Sequence, residues 1–213
     1  MANNYASLAF TENVRKLQEK FGSRNAYARF EKAVYVDGLG RPEISFISQR
    51  DSFYLATIGE NGYPYIQHRG GPAGFLHVLD SHTLGLVDFK GNKQYISVGN
   101  ILTHPQVSLF LMDYPRQTRL KIYAQASVVE LADRPDLFAK LDPTHYAHTP
   151  ERMLLFRIDA FDWNCPQHIT PRYTEADMQE VFSAQSAYIA KLEQEISTLR
   201  NTVKAKDAPY ESG

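Results

Sequence analysis

Residues 52–69 read SFYLATIGENGYPYIQHR, and this stretch decides the fold class. Its first seven residues are rich in the aromatic and β-branched side chains that favour β-strands. Gly59-Glu-Asn-Gly62 follows, with residues that accept the positive φ angles of a hairpin turn. The stretch therefore predicts a β-hairpin with a first strand over 52–58 and a return strand over 63–69.

Further short segments of the same kind predict strands over 75–79, 84–89, 107–112, 120–130 and 153–163. Two helices interrupt the series: one over 95–104, which Pro105 ends, and one over 134–141, which has Pro135 in its first turn. Apolar residues between Leu8 and Phe21 predict a short leading helix that Gly22 ends. Many short strands separated by turns are typical of a barrel or sandwich, so we expect a mainly β fold, a β-barrel with α-helices.

The pattern changes from Thr174 onward, where apolar residues alternate at spacings of three and four, as in a coiled-coil seam. This predicts a C-terminal helix of about eight turns. We expect a barrel domain with its leading helix over residues 1–171 and an amphipathic helix and tail over 172–213. The helix could stabilise a homodimer, dock another partner or fold back on its own barrel. The seam residues are Ile189, Leu192, Ile196, Leu199 and Val203.

Composition excludes several classes of protein. The chain has 213 residues, of which 43% are hydrophobic and 22% charged, as in ordinary globular proteins. Its 23 Lys and Arg against 24 Asp and Glu leave no basic surplus for nucleic acid or an anionic membrane. No apolar run is long enough to span a bilayer, and the N-terminus carries no export signal. The single Cys165 excludes a multi-thiolate metal site and fits a reducing cytoplasm, where we expect the protein.

Arg69 ends the return strand and is followed by Gly70 and Gly71. A guanidinium suits bidentate phosphate binding, and glycines let a ligand approach the backbone closely. The alternative is a surface charge at a strand end, followed by an ordinary turn.

A second cluster, Asp88-Phe-Lys-Gly-Asn-Lys93, joins a strand to the internal helix. Helix N-termini attract anions, and Lys90 and Lys93 would add positive charge. A solvated loop is the alternative interpretation. Asn100 lies inside the helix, where its amide either binds a ligand or faces water.

A third cluster, residues 162–169, brings together the only Trp and the only Cys with an amide and an imidazole. Such a group of side chains suits a flat heteroaromatic ligand. A thiol hydrolase based on Cys165 is the alternative, but a buried inert thiol is the commoner state of a lone cysteine. The sequence contains neither a glycine-rich dinucleotide motif nor an NTPase phosphate loop.

The order of strands, turns and motifs along residues 45–130, approximately, resembles that of the pyridoxamine 5′-phosphate oxidase-like FMN-binding split barrels. The resemblance implies that Arg69 and Lys93 bind the FMN phosphate and that Arg119 reaches the isoalloxazine ring. The stretch Thr103-His-Pro-Gln-Val107 matches the end of the family's internal helix. The resemblance also implies a homodimer with the flavin at the subunit interface.

The stretch Asp162–Pro171 is similar to a signature of one bacterial subgroup of these flavoproteins. The vitamin oxidases proper carry an Arg-Leu-His-like motif near a C-terminal Trp, and no such motif follows Trp163. The sequence therefore predicts an FMN-dependent oxidoreductase with a different substrate, in which flavin N5 exchanges a hydride. It identifies neither the small-molecule substrate, nor the electron donor, nor a general acid or base.

The alternative function is a non-catalytic flavin or haem carrier on the same fold, with His68, His77 or His168 as an axial ligand. We expect Asp88, Phe89 and Asn100 to line the cofactor. Gln167 and His168, from the same or the partner subunit, would face the ring or the substrate. The candidate FMN-binding residues are Arg69, Gly70, Gly71, Asp88, Phe89, Lys90, Asn92, Lys93, Asn100, Arg119, Gln167 and His168.

Overall fold

A computed structural model of the chain describes residues 4–32, 37–163 and 167–206. The chain divides into two compact units, residues 1–169 and 170–213. Cys165, the thiol of the hydrolase hypothesis, lies outside the described residues. None of the described helices is both long and apolar enough to cross a membrane.

The first unit is built on one antiparallel sheet of seven strands in the order β2-β1-β5-β6-β7-β4-β3. The mainly β class predicted from the sequence is therefore confirmed. The predicted hairpin is also present, with Ser52 opposite Gly70 and Ile58 opposite Pro64. The strands are β1 Ser52–Ile58, β2 Pro64–Gly70, β3 His77–Asp80, β4 Thr83–Phe89, β5 Gln106–Asp113, β6 Thr118–Val129 and β7 Pro150–Trp163.

The internal and C-terminal helices form where the sequence predicts them. The N-terminal region differs, because four short helices stand where one was predicted. Gly22, at φ 75°, ends the second of them as expected. The fourth begins at a cap, in which the Gly40 amide donates to Oε2 of Glu43 at 2.9 Å. The helices are α1 Tyr5–Ala9, α2 Glu12–Lys20, α3 Arg24–Lys32, α4 Arg41–Ser48, α5 Ile96–Thr103, α6 Pro135–Leu141 and α7 Glu175–Lys206.

The sheet buries one face in the core and curves around it. Alternate residues of the strands supply this face, among them Phe53, Leu109 and Ile122, each at most 1% exposed. Arg69 on the edge strand β2 forms an ion pair with Asp88 on β4, which lies next to the opposite edge. The two ends of the sheet therefore approach each other without pairing, and the barrel stays split.

Helix α5 is held against the hairpin by two side-chain hydrogen bonds. Ser97 Oγ donates to Oε1 of Gln67 on β2 at 2.6 Å, and Asn100 Nδ2 donates to Oγ1 of Thr57 on β1 at 3.0 Å. Ile101 anchors the helix in the core, where it is 3% exposed. These contacts fix the N-terminus of α5 beside the strand that carries Arg69.

The second unit consists of α7, a helix of 32 residues. Its start is defined by a reciprocal cap, in which Thr174 N and Oγ1 both donate to Oδ2 of Asp177 at 2.8 Å. The Asp177 amide donates back to Thr174 Oγ1 at 3.1 Å. Such a cap satisfies amide groups that the first turn of a helix leaves open.

Candidate functional site

A cleft lies in the first unit where β2, β4, β7 and the loop before α5 meet. It encloses about 390 Å³, part of it open to solvent. Five of the residues predicted from the sequence line it: Arg69, Asp88, Phe89, Asn92 and Lys93. Further lining residues are Tyr65, Gln67, Gly91, Gln94, Tyr95, Ile96, Ser97, Val98, Glu151 and Arg152.

Asp88 organises the charges of this cleft. Its carboxylate is buried, with 4% of the side chain exposed, and it meets two guanidinium groups. Arg69 donates to Oδ1 across the split in the barrel, and Arg152 Nη1 donates to Oδ2 at 3.1 Å from the neighbouring strand β7. A buried carboxylate without a partner would be strongly unfavourable, so the two arginines stabilise it while it fixes their positions.

Arg69 has a hydrogen-bond donor that none of the described residues uses. A guanidinium has five N–H donors, and the bond to Asp88 uses Nη1. The Nε atom of Arg69 is buried and has no hydrogen-bond partner among the described residues. Buried polar atoms are nearly always hydrogen-bonded, so this N–H is suited to an acceptor on a bound molecule.

Arg152 is connected to the other wall of the cleft. Its guanidinium lies over the ring of Tyr95, 5.0 Å from the centroid. The Tyr95 hydroxyl donates to Oε1 of Glu151 at 3.1 Å, and Arg152 Nη1 lies 3.4 Å from Oε2 of the same carboxylate. The two cleft carboxylates, Asp88 and Glu151, are thus both engaged by Arg152.

The loop before α5 has a strained backbone. Lys93 and Tyr95 adopt left-handed conformations, with φ angles of 61° and 54°. Residues other than glycine pay about 1–2 kcal/mol for this conformation, and such outliers cluster at binding sites. The loop leads into the N-terminus of α5, which no side chain of the described residues caps. Free amide groups and the helix dipole at such a terminus favour an anion.

A second and larger cleft shares Tyr65 and Ile96 with the first. It encloses about 950 Å³, part of it open to solvent, and it is lined on the helix side by Gly99 and Asn100. Asn100 is thus beside a cleft, although its amide nitrogen is already engaged by Thr57. The remaining lining residues are Gly59, Glu60, Asn61, Tyr63 and Pro64.

Three predicted residues near the first cleft do not line it. Gly70 is the last residue of β2, and Gly71 follows it. A Cβ atom on Gly71 would lie 2.7 Å from the ring of Phe75, so packing within the chain is sufficient reason for this glycine. Lys90 uses its amide to bond the Thr149 carbonyl at 2.8 Å, and its side chain is exposed.

Arg119 lies on the opposite face of the sheet from Arg69. It pairs with Met112 on β5, and its guanidinium lies 5.8 Å from the centroid of the Phe110 ring. Its Nε is also buried without a partner among the described residues. Gln167 and His168 are exposed and line neither cleft. A single chain therefore does not bring these three residues to Arg69.

None of the candidate haem ligands, His68, His77 and His168, lines either cleft. His68 lies on the face of β2 opposite Arg69, with its ring 5.7 Å from that of Tyr54. Burial, and then the charge of Lys140, lower the pKa of His77 below its ordinary value of 6.5. Within residues 4–32, 37–163 and 167–206, no three His, Cys, Asp or Glu side chains are grouped so that they could hold a metal ion.

Several residues that line the cleft are not among those predicted from the sequence. Tyr65 and Gln67 precede Arg69 at intervals of two, so the alternation of side chains along a strand could have identified them. Glu151 and Arg152 reach the site only through the pairing of β4 with β7, and no local pattern in the sequence reports that pairing.

Comparison with known proteins identifies the family of this chain. A protein-family model described as pyridoxamine 5′-phosphate oxidase matches residues 44–163, more than half of the chain. No curated protein matches the chain. Among solved structures, a candidate pyridoxamine 5′-phosphate oxidase from Lactobacillus delbrueckii is 21% identical, with a TM-score of 0.46, covering 61% of this chain and 97% of that one.

Two further solved structures are similar to the chain. An FMN-binding protein from Syntrophomonas wolfei is 15% identical, with a TM-score of 0.43, and the match covers 72% of this chain and 96% of that one. An F420 reductase is 17% identical, with a TM-score of 0.41 and coverages of 58% and 98%. The family model spans all seven strands and both candidate clefts. The chain belongs to the pyridoxamine 5′-phosphate oxidase family.

Proposed function

We propose that the protein is an FMN-dependent oxidoreductase that holds the phosphate of FMN in the cleft around Arg69 and Lys93. The observation that carries this proposal is the buried Nε of Arg69, a donor without a partner among the described residues, in a cleft beside an uncapped helix N-terminus. A phosphate oxygen is the kind of acceptor that such a donor and such a terminus favour.

The charges of the cleft support a monophosphate. Its lining includes three cations, Arg69, Lys93 and Arg152, and two carboxylates, Asp88 and Glu151. Both carboxylates already have a cation within ion-pair distance, so one positive charge remains in excess. The dipole of α5 adds to this excess. A dianionic group is therefore attracted to the cleft without having to displace Asp88.

When bound, FMN would supply hydride exchange at flavin N5, and the protein's contribution is binding, orientation and electrostatics. Arg69 and Lys93 would bind the phosphate, with Arg152 and Asp88 keeping Arg69 in place. Phe89, Asn92 and Asn100 would line the remainder of the cofactor. The substrate differs from pyridoxine phosphate, because the vitamin-phosphate motif is absent from the sequence after Trp163.

We further propose a homodimer with the flavin at the subunit interface. Arg119, Gln167 and His168 would then approach the cofactor from the partner chain, because one chain alone does not bring them to the cleft. The outer face of the β1–β2 hairpin leaves Ile58 43% and Ile66 65% exposed, as expected of a surface that a second subunit covers. The one cysteine of the sequence supports the cytoplasm as the compartment.

A non-catalytic flavin carrier is the second candidate. It is favoured by the ion pairs that engage both carboxylates of the cleft, Asp88 and Glu151, with Arg152. Reduction by a nicotinamide donor, followed by stopped-flow mixing with oxygen and small-molecule acceptors, separates the two functions. Turnover with any acceptor supports the oxidoreductase, and slow non-saturable reoxidation with all of them supports the carrier.

The identity of the cofactor is tested on the purified protein. We expect a yellow protein that releases FMN on denaturation, identified by mass and present at one per chain. Release of FAD or haem would contradict the proposal, because the proposed site takes a single phosphate group and no His lines the cleft.

A further inference from the structure

The long C-terminal helix α7 carries an apolar stripe that its own unit does not cover. Eight large apolar side chains along the helix are between 38% and 65% exposed, and six of them, all but Val181 and Tyr188, lie along one stripe. A continuous exposed apolar stripe of this kind is unfavourable in water and marks an interaction surface. The six residues are Phe182, Ile189, Leu192, Ile196, Leu199 and Val203.

The residue types at the stripe indicate what covers it. In heptad notation, Ile189, Ile196 and Val203 occupy a positions, and Leu192 and Leu199 occupy d positions. β-branched residues at a combined with Leu at d favour two parallel strands over trimers and tetramers. The register extends back to Phe182 at an a position, with Gln185 as a polar d residue between them.

The flanking charges fit the same arrangement. In a parallel, in-register pair, each g residue faces the e residue of the partner's next heptad. Glu195 occupies a g position, and the corresponding e position is occupied by Arg200, so a second copy presents an opposite charge at this point. The two-fold symmetry of a homodimer gives this contact twice. In an antiparallel pair, g residues face g residues, and Glu195 would lose this partner.

We propose that α7 forms a parallel, in-register, two-stranded coiled coil with α7 of a second copy of the chain. The a and d side chains form its core, and Glu195 of each helix pairs with Arg200 of the other. This contact is separate from the flavin interface proposed above, and it would link two chains whether or not their barrels touch.

Disulfide trapping in the full chain tests the register. In a Cys165→Ser background, Val203→Cys places one thiol at the terminal a position, and Asn201→Cys places a thiol at an outward f position as the matched control. We expect a disulfide-linked dimer from Val203→Cys under mild oxidation and little from Asn201→Cys.

The same experiment distinguishes the proposed coiled coil from three other outcomes. In an antiparallel pair that overlaps over residues 185–203, Val203 faces Gln185, so Val203→Cys would be trapped only when these chains are mixed with Gln185→Cys chains. Equal trapping of Val203→Cys and Asn201→Cys would indicate random collision, and no trapping of either would assign the stripe to its own chain or to another protein. Each of these three outcomes overturns the proposal.

Charge exchange tests the pairing of Glu195 with Arg200. Glu195→Arg or Arg200→Glu alone places like charges together twice, and we expect the trapped fraction of Val203→Cys at limiting concentration to fall by about tenfold. The double variant restores opposite charges, so its trapping should return to the starting level. Gln194→Arg, at an f position, is the control for added charge. Failure of the double variant to recover would overturn the parallel register.

Discussion

Replacing Arg69 by Ala should weaken FMN binding by about 10- to 150-fold. This range corresponds to the loss of one hydrogen bond to a charged group, about 1.5–3 kcal/mol. We expect at least the lower end of this range, about tenfold, because the Arg69 side chain is only 14% exposed and solvent screens its charge little. Lys at this position keeps the charge but loses the planar fork, so Arg69→Lys should fall between the wild type and Arg69→Ala.

The assay is the quenching of flavin fluorescence as apoprotein is added to FMN. Because Arg69 also stabilises Asp88, the variants need a thermal unfolding curve to show that they are folded at the assay temperature. Arg157→Ala is the matched control, since its side chain on β7 is 68% exposed and lines neither cleft. An unchanged dissociation constant for folded Arg69→Ala would remove Arg69 from the site and refute the reasoning.

Two further predictions concern the scaffold around the site. Gly71→Ala should lower the free energy of unfolding by about 1–3 kcal/mol, because the new Cβ meets the Phe75 ring. Gly91→Ala is the control, because no atom lies within 4 Å of its new Cβ and this mechanism does not destabilise it. Urea unfolding compares the two variants, and equal losses of stability would contradict the packing argument. Burial alone would raise the pKa of Asp113, but hydrogen bonds from Arg116 and the charges of Arg50 and Arg116 outweigh it and hold the pKa below 3.8. Because the folded pKa is below the unfolded one, this carboxylate's contribution to stability is present above about pH 4 and is lost as the pH falls through the folded pKa. The free energy of unfolding of Asp113→Asn should therefore fall less steeply than that of the wild type between about pH 5 and 2. Parallel stability curves for the two proteins would contradict a lowered pKa of Asp113.

Local signals in the sequence were sufficient for most of the fold. The aromatic and β-branched residues of 52–58, with the turn at Gly59–Gly62, predicted the hairpin because both signals act within a few residues. Pro105 predicted the end of α5 for the same reason. Helix α4 is not among the predicted helices, because its start is marked by a cap between Gly40 and Glu43 and not by periodic apolar residues.

The candidate site was predictable only in part. Arg69 and Lys93 follow from their positions at a strand end and before a helix. Arg152 could not be found in this way, because it enters the cleft through a cross-strand contact with Asp88, which is distant in sequence. Gly71 was assigned to a ligand, whereas the structure supplies a reason within the chain, the close approach of Phe75. A packing contact of this kind cannot be recognised from the neighbouring residues in the sequence.

The central claim is that this protein recognises the phosphate of its flavin through the cleft around Arg69. The most direct measurement compares FMN with riboflavin, which lacks the phosphate, in calorimetric titrations of the same apoprotein. With at least one charge-assisted hydrogen bond to the phosphate, FMN should bind at least about tenfold more tightly than riboflavin. Arg69→Ala should reduce this preference, while Arg157→Ala should preserve it. Equal affinities of the wild-type protein for FMN and riboflavin would contradict the account.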